Sequence, residues 1–268
     1  MNINKPIVFL LDIDGTILGN IGPQVSIYDL KLSNHVNINY TVKDLLDRFD
    51  KGLLRPYFEA FIKQTQRRLP NAEFFIYTAA DNRWGTFISS VIEKHIDFKF
   101  NKPIFTRKHC FNIDHKIVKS IKHITPSIKR SLSKKYGKQC DLTNRIIMID
   151  NSVVFQENEM KQVLICNTYN NIVPENIPVY INEIIFNQYK SSIETRLHKL
   201  IPNISTKNYI EFQKTFYAYY IHALQKYTSH VPQDRFWFYL NRLLEIKNIT
   251  LFTPNTIEYI NSKLSKRL

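Results

Sequence analysis

The sequence is poor in cysteine and lacks long apolar runs. Its three cysteines, Cys110, Cys140 and Cys166, are odd in number and show no CxxC spacing. This argues against a disulfide framework and predicts a reducing intracellular compartment, the cytoplasm or the nucleus. No apolar segment reaches the ~18 residues of a membrane span, and Met1–Lys5 leads directly into the first apolar run, so we expect neither a membrane segment nor a signal peptide. Gly15–Gly19 lacks the GK[ST] ending of a Walker loop, which argues against a nucleotide triphosphate site.

Positive charge is abundant and is concentrated in one part of the chain. The 268 residues include 37 Lys and Arg against 23 Asp and Glu, a formal net charge of +14. Residues 99–145, which we call the basic segment, hold thirteen Lys and Arg but only Asp114 and Asp141, a local balance of +11. The segment is either a solvated loop that favours solubility or a surface for polyanions such as nucleic acid. Abundant Asn, Ile, Lys and Tyr indicate an AT-rich coding genome, as in a parasite or large DNA virus within a host cell.

The most informative stretch is Ile7–Thr16, IVFLLDIDGT, where an apolar run ends in two carboxylates. The apolar residues predict a strand that is buried on both faces. Ligands bind at the carboxyl ends of the strands of an open parallel sheet, and alternation places Asp12 and Asp14 on the same side. Unpaired carboxylates are costly to bury, so this pair predicts a metal, a proton or a substrate there. Gly15 lets the backbone turn closely around that ligand. The arrangement suits phosphoryl transfer.

Two later segments repeat the pattern of an apolar run that ends in polar residues. Glu73–Trp84, EFFIYTAADNRW, reaches Thr78 after its apolar run. Arg145–Phe155, RIIMIDNSVVF, reaches Asp150 and Asn151. Together with DIDGT, and in the same order, these segments resemble the first, second and fourth motifs of the haloacid dehalogenase (HAD) superfamily of phosphohydrolases.

A narrower resemblance covers roughly residues 5–180. Leu54–Phe61, LRPYFEAF, followed by IYTAADNRWG, IVKSI and IIMIDNS, resembles the motif series of the FCP/SCP-type CTD phosphatases, also called NLI-interacting-factor-like phosphatases. This resemblance implies an α/β fold with a HAD-type, Rossmann-like parallel sheet flanked by helices. It also implies a Mg²⁺-dependent phosphatase that acts on phosphoserine or phosphothreonine in a protein.

The resemblance assigns roles to the acidic residues. Asp12 would be the nucleophile that forms an aspartyl-phosphate. Asp14 would protonate the leaving group and then activate water, which requires a pKa above that of Asp12. Asp150 would bind Mg²⁺ together with the Asp12 carboxylate and the backbone carbonyl of Asp14. Asn151 would lie in the outer shell or hold a water molecule.

The remaining implied roles concern the substrate phosphate. Thr78 and the backbone amide of Ala79 would donate hydrogen bonds to the phosphate oxygens. A lysine would complete the site, and Lys119 in IVKSI best matches the lysine of the family's VKDL motif. Lys122 and Lys134, in the same basic segment, are the alternatives.

The secondary-structure pattern predicts two domains, 1–180 and 181–268. Strands alternate with helices in the first, which favours a parallel sheet. The predicted strands are Ile7–Leu11, Phe74–Tyr77, Pro103–Thr106, Ile146–Ile149 and Gln162–Ile165. The predicted helices are Thr41–Phe49, Pro56–Gln66, Arg83–His95 and Ile128–Tyr136, and Ser26–Leu32 and His35–Tyr40 are predicted as small strands or a lid-like insertion. The second domain is an all-helical extension of four helices, the third opened by Pro232 and the fourth capped by Thr253.

Two other functions compete with a protein phosphatase. The charge of the basic segment suggests a phosphatase that acts on nucleic-acid ends or nucleotides. The other competing function is that of a catalytically silent HAD-fold protein that binds nucleic acid or a partner, although three retained carboxylates argue against it. The aromatic density of residues 181–268 is typical of a helical subdomain packed on the core, or alternatively of a docking surface.

Overall fold

The computed structural model describes residues 5–33, 38–138, 140–228 and 233–266. The chain divides into two compact units, each assembled from separate stretches. The first, here called the sheet unit, comprises residues 1–18, 55–169 and 234–268, and the second, the helical unit, comprises 19–54 and 170–233. This division differs from the single boundary at residue 180 that we predicted.

The sheet unit contains the strands of the protein that the structure describes. They are β1 (Ile7–Leu11), β2 (Ala72–Ile76), β3 (Phe111–Ile113), β4 (Lys116–Val118), β5 (Ile146–Asp150) and β6 (Val163–Ile165). Strands β2, β1, β5 and β6, in that order, form one parallel sheet, and β3 and β4 form an antiparallel hairpin. Leu11 pairs with Ile76 on one side and Ile149 on the other, so three strands end at the same edge. The predicted α/β class with a parallel sheet is confirmed.

Nine helices are present in the described residues. They are α1 (Gly22–Leu32), α2 (Val42–Arg48), α3 (Phe58–Arg68), α4 (Asn82–Ile96), α5 (Ile121–Tyr136), α6 (Glu183–Leu197), α7 (Tyr209–Thr228), α8 (Phe236–Ile246) and α9 (Pro254–Leu264). Helices α3, α4, α5, α8 and α9 belong to the sheet unit, and the other four belong to the helical unit. Among all of these, no helix combines the length and the apolarity needed to cross a membrane.

Different helices cover the two faces of the sheet. On one face, Phe9 of β1 stacks on Phe74 of β2 with ring centroids 5.0 Å apart. Phe61 of α3 packs on the same pair and lies 4.8 Å from Trp237 of α8, centroid to centroid. On the opposite face, the apolar side of α5 joins the cluster around Leu10. Because α8 completes one face of the core, residues after 233 belong to the sheet unit.

The helical unit has its own core around a buried carboxylate. Glu175 accepts hydrogen bonds from Gln24 Nε2 and Tyr40 OH, both at 3.1 Å. Arg48 donates to its two oxygens through Nε and Nη2, each at 3.0 Å. A buried carboxylate without such donors would be strongly destabilising. These contacts therefore hold Gln24, Tyr40 and Arg48 against the segment before α6.

One early segment was predicted wrongly. Ser26–Leu32 lies in helix α1 and not in small strands or a lid. Pro23 stands in the first turn, where its missing N–H is not needed, and Ile27 and Leu30 are buried one turn apart. The prediction for His35–Tyr40 falls partly on residues 34–37, which lie outside the described residues, and residues 38–40 form no strand.

Helix α5 begins at Ile121, seven residues before the start that we predicted. Pro126 lies within the helix. Ser120 caps the helix by accepting a hydrogen bond from His123 N at 3.2 Å. Ile124 is buried on the same stripe as the residues that follow. Burial of this stripe outweighs the single helical hydrogen bond that a proline removes.

Most other boundaries agree with the prediction to within three residues. The predicted bounds of β1 match the structure residue for residue, and Thr41 forms a capping box with Asp44 at the start of α2. Pro103–Thr106 is not a strand, because Phe105 makes only an isolated bridge. The predicted C-terminal helices are present as α6–α9. The third of them begins at Phe236, and Pro232 lies outside the described residues.

Candidate active site

Two carboxylates from neighbouring strands meet at the carboxyl edge of the parallel sheet. Asp12 directly follows β1, and Asp150 is the last residue of β5. Asp12 N donates to Ile149 O at 3.0 Å, which continues the pairing of the two strands to this point. Both side chains are buried. Buried carboxylates so close together require a neighbouring cation or proton.

Lys119 supplies that positive charge. Its Nζ lies 2.6 Å from Asp12 Oδ1 and 2.7 Å from Asp150 Oδ2, and its side chain is 1% exposed. The two alternative lysines do not take this position, since the side chains of Lys122 and Lys134 are exposed on α5. Of the three candidates, Lys119 is therefore the one at the centre of the site.

The β3–β4 hairpin and the segment after β5 together position Lys119. The lysine directly follows β4, and its backbone N donates to Val154 O at 2.7 Å. Its Nζ lies 5.5 Å from the centroid of the Tyr77 ring and 5.9 Å from that of the Phe155 ring. The aromatic rings exclude water from the lysine, and cation–π attraction helps to compensate for the lost hydration.

The loop after β1, which carries Asp12 and Asp14 and is here called the first-motif loop, leaves one carboxylate oxygen available to a ligand. Asp14 Oδ1 is buried and has no hydrogen-bond partner within the described part of the chain. Gly15 has a φ of +76°, and a Cβ built there would lie 2.5 Å from Asn151 Nδ2. Thr16 Oγ1 donates to Asn151 Oδ1 at 3.3 Å, and Asn151 Nδ2 donates to Thr168 Oγ1 at 3.1 Å. The Asn151 amide therefore packs on the loop and leaves the Asp14 oxygen for a ligand.

Residues that follow β2 in the chain form a third side of the site. Thr78 is buried, and its Oγ1 accepts a hydrogen bond from Ala80 N at 3.1 Å. The Ala79 carbonyl accepts one from Arg107 Nε at 2.8 Å. Arg107 was missing from the predicted site, because nothing in its spacing distinguishes it from the other basic residues around it.

Burial dominates the protonation equilibria of the first-motif carboxylates. It raises the pKa of Asp12 to about 7 and that of Asp14 to about 6, against the opposing attraction of Lys119. The charge of Asp150 raises both pKa values further, and the charge of Arg107 lowers that of Asp14. Burial disfavours charged Lys119, but its two carboxylate partners outweigh this and raise its pKa, so it stays charged.

The donor set fits a hard divalent cation. The Asp12 and Asp150 carboxylates converge on Lys119 Nζ, and the unpartnered Asp14 oxygen lies in the loop that follows Asp12. Oxygen ligands are those that Mg²⁺ prefers. Within the described ranges, no group of three or more His, Cys, Asp or Glu side chains is arranged to hold a metal. A Mg²⁺ site here would thus take two carboxylates together with backbone, water or phosphate oxygens.

The basic segment is only partly neutralised by ion pairs. Lys99 and Lys102 pair with Glu93, and Lys135 pairs with Glu73. Several other basic residues of the segment have exposed side chains, namely Arg107, Lys108, Lys116, Lys122, Lys129, Arg130, Lys134 and Lys138. Four of these eight, Lys122, Lys129, Arg130 and Lys134, lie on α5, so its exposed face is strongly basic.

An α/β protein in which a lysine bridges two carboxylates at the carboxyl edge of a parallel sheet is suited to phosphoryl chemistry. The chain belongs to the NLI interacting factor-like phosphatase family, whose sequence pattern matches residues 7–176. Membership of this family makes it a phosphatase, as the motifs predicted. Among curated proteins, none matches the sequence.

The solved structures that are similar to this chain include two of an RNA polymerase II CTD phosphatase. One is the structure of Fcp1, an essential RNA polymerase II CTD phosphatase, at 12% identity and a TM-score of 0.39, covering 95% of this chain and 70% of the other. The second is a point variant of the fission yeast RNA polymerase II CTD phosphatase Fcp1 bound to beryllium fluoride. It has 15% identity and a TM-score of 0.39, and the match covers 98% of this chain and 62% of the other.

Proposed function

We propose that the chain is a Mg²⁺-dependent phosphomonoester hydrolase that works through an aspartyl-phosphate on Asp12. The observation that carries this proposal is the buried contact of one lysine with two carboxylates at the carboxyl edge of the sheet. Lys119 stays charged and lies 2.6 Å from Asp12 and 2.7 Å from Asp150. A fixed cation beside a carboxylate nucleophile orients it and lowers the cost of charge at the phosphoryl group.

The reaction would proceed in two displacements. The Asp12 carboxylate attacks phosphorus, and the ester oxygen leaves with a proton from Asp14. A water molecule then attacks the aspartyl-phosphate and gives its proton to Asp14, which releases inorganic phosphate and restores Asp12. Thr78 Oγ1 and the Ala79 amide would donate to the phosphoryl oxygens, with Lys119 as the nearby cation.

The metal would be held by the Asp12 and Asp150 carboxylates and the backbone carbonyl of Asp14. Bound Mg²⁺ supplies charge neutralisation at the phosphoryl oxygens. Asn151 contributes by packing against Gly15, which holds the first-motif loop in its turn. The substrate class that we propose is phosphoserine or phosphothreonine in a protein, and the site of action is inside the cell, a location that the three free cysteines support.

Hydrolysis of p-nitrophenyl phosphate tests the chemistry. We expect phosphate release that requires Mg²⁺ and stops with EDTA, and we expect Asp12→Asn to abolish it. Asp97→Asn is the matched control, since Asp97 is exposed and its left-handed backbone suits asparagine. An Asp12→Asn variant with normal turnover would end the proposal, as would a wild-type protein that is inactive with Mg²⁺.

A nucleic-acid phosphatase remains the second candidate, because the exposed face of α5 is strongly basic. Phosphopeptides and oligonucleotides with a 3′- or 5′-phosphate, assayed side by side, would separate the two substrate classes. Neutralising Lys129, Arg130 and Lys134 should selectively slow turnover of an oligonucleotide and reduce its salt dependence. Phosphopeptide turnover with no turnover of the oligonucleotides would reject this second candidate.

A further inference from the structure

A small pocket lies between helices α8 and α9 of the sheet unit. Its volume is about 230 Å³, and Tyr239 and Tyr259 contribute aromatic walls. Leu243, Ile246 and Leu264 contribute aliphatic surface. Pockets for drug-sized ligands are larger, about 300–1,000 Å³. This pocket therefore has room for one large apolar side chain.

Two lysines supply positive charge at this pocket. Lys247 and Lys263 both line it, with Nζ atoms 6.0 and 5.6 Å from the centroid of the Tyr259 ring. Neither lysine forms an ion pair with any residue that the structure describes. The acidic residue of α8 nearest in sequence, Glu245, pairs with Arg242 at 3.5 Å. The rim of the pocket is therefore positive.

The pocket rests on a rigid support. Helix α8 buries Trp237 and Leu240 on its inner side, and α9 buries Ile257 and Ile260. Trp237 packs against α3 through Phe58 at 5.1 Å between ring centroids. Because these inner faces are fixed in the core, the outer faces hold their shape before any ligand binds. A preorganised surface binds with a smaller loss of conformational entropy.

We propose that this pocket docks an acidic peptide segment that carries one aromatic or large aliphatic side chain. The apolar side chain enters between the two tyrosines, and flanking carboxylates pair with Lys247 and Lys263. The charge of the rim requires an anionic partner, and the apolar lining requires an anchor that a sugar–phosphate backbone lacks. Binding tracks for nucleic acid are extended grooves with many cations, whereas this is a small recess with two.

Fluorescence anisotropy with the full chain tests the proposal. The probe is a labelled peptide, Gly-Ser-Glu-Asp-Phe-Glu-Asp-Gly-Ser, compared with the same peptide carrying Ala in place of Phe. Loss of the buried Phe should weaken binding at least about tenfold. The double variant Lys247→Gln, Lys263→Gln should weaken binding of the Phe peptide by about three- to tenfold.

Matched variants separate docking from general charge attraction. Lys43→Gln, Lys94→Gln removes the same charge from exposed sites outside the pocket and should leave affinity unchanged. Leu243→Phe fills the pocket without changing charge and should remove the preference for Phe over Ala. The proposal is overturned by equal weakening in the two lysine pairs or equal binding of the two peptides. It is likewise overturned by no binding, or by an oligonucleotide that binds through the same two lysines.

Discussion

Arg55 and Asp234 form a buried ion pair that joins distant stretches of the sheet unit. Arg55 Nε and Nη2 donate to the two Asp234 oxygens at 2.9 and 2.8 Å. Arg55 Nη1 also donates to Thr16 O at 3.3 Å, and the guanidinium lies 4.7 Å from the centroid of the Phe236 ring. The pair thus connects the start of α8 to the loop that carries the first-motif carboxylates.

The substitution Asp234→Asn should destabilise the protein, because it leaves the guanidinium buried without a counter-charge. Removing one partner of a buried pair costs roughly 3–5 kcal/mol. The Asp234 side chain is 15% exposed and asparagine still accepts hydrogen bonds, so we expect the lower end of that range. A loss of about 3 kcal/mol corresponds to a fall in Tm of about 6–12 °C for a protein of this size.

Thermal and urea unfolding measure the loss, and p-nitrophenyl phosphate turnover reports on the first-motif loop. The control is Glu59→Gln, because Glu59 pairs with Lys63 at 2.5 Å with both side chains over 40% exposed. That exposed pair should contribute less than about 1 kcal/mol. The double variant Arg55→Met, Asp234→Asn should recover part of the loss, since it leaves no unpaired ion. A loss below about 1 kcal/mol for Asp234→Asn, or an equal loss for Glu59→Gln, would refute this reasoning.

Three further outcomes are expected. Lys119→Met leaves two buried carboxylates without their lysine, so it should lower Tm. Added Mg²⁺ should raise the Tm of this variant more than that of the wild type, and equal Mg²⁺-induced shifts in Tm would contradict this. Gly15→Ala should reduce stability by at least about 1–2 kcal/mol in urea unfolding, because φ is +76° there and the new Cβ would also clash with Asn151. Burial raises the pKa of Glu93, but bonds from Lys102 and Lys99 outweigh this and lower it below the ordinary 4.5. The stabilisation by the Glu93 carboxylate is therefore fully present above the ordinary pKa of 4.5 and is lost as the pH falls through the lower folded-state pKa. Glu93→Gln should therefore make the midpoint of urea unfolding depend less on pH across this acidic range.

The central strands were predictable because each is an uninterrupted apolar run between polar residues. β1 and β5 need no long-range information to be recognised, since both faces are buried. Helices α1 and α5 were harder, because tertiary burial decided them. In α5 the apolar stripe from Ile121 continues through Pro126, which local rules treat as a break. The unit boundaries depend on packing between segments far apart in sequence, which no local pattern contains.

The acidic part of the site was visible in the sequence, and the family resemblance favoured Lys119 among three lysines, but Arg107 was not predicted. Asp12 and Asp150 lie at the ends of the first and third of the three apolar runs that carry the motifs, and they meet because the two strands pair in parallel. Lys119 stood among several lysines with similar surroundings, and the β3–β4 hairpin is what brings it to the carboxylates. Arg55 is 179 residues from Asp234, and no spacing rule connects residues at such a separation.

The assembly of the sheet unit from three stretches has a consequence for biosynthesis. Helix α8 closes the aromatic face of the sheet, so a nascent chain lacks part of its core until residues beyond 234 have emerged from the ribosome. Until then, Phe61 and Phe74 have no α8 to cover them, and exposed apolar surface of this kind attracts chaperones and invites aggregation. A chain that stopped at residue 180 would stay in that state permanently.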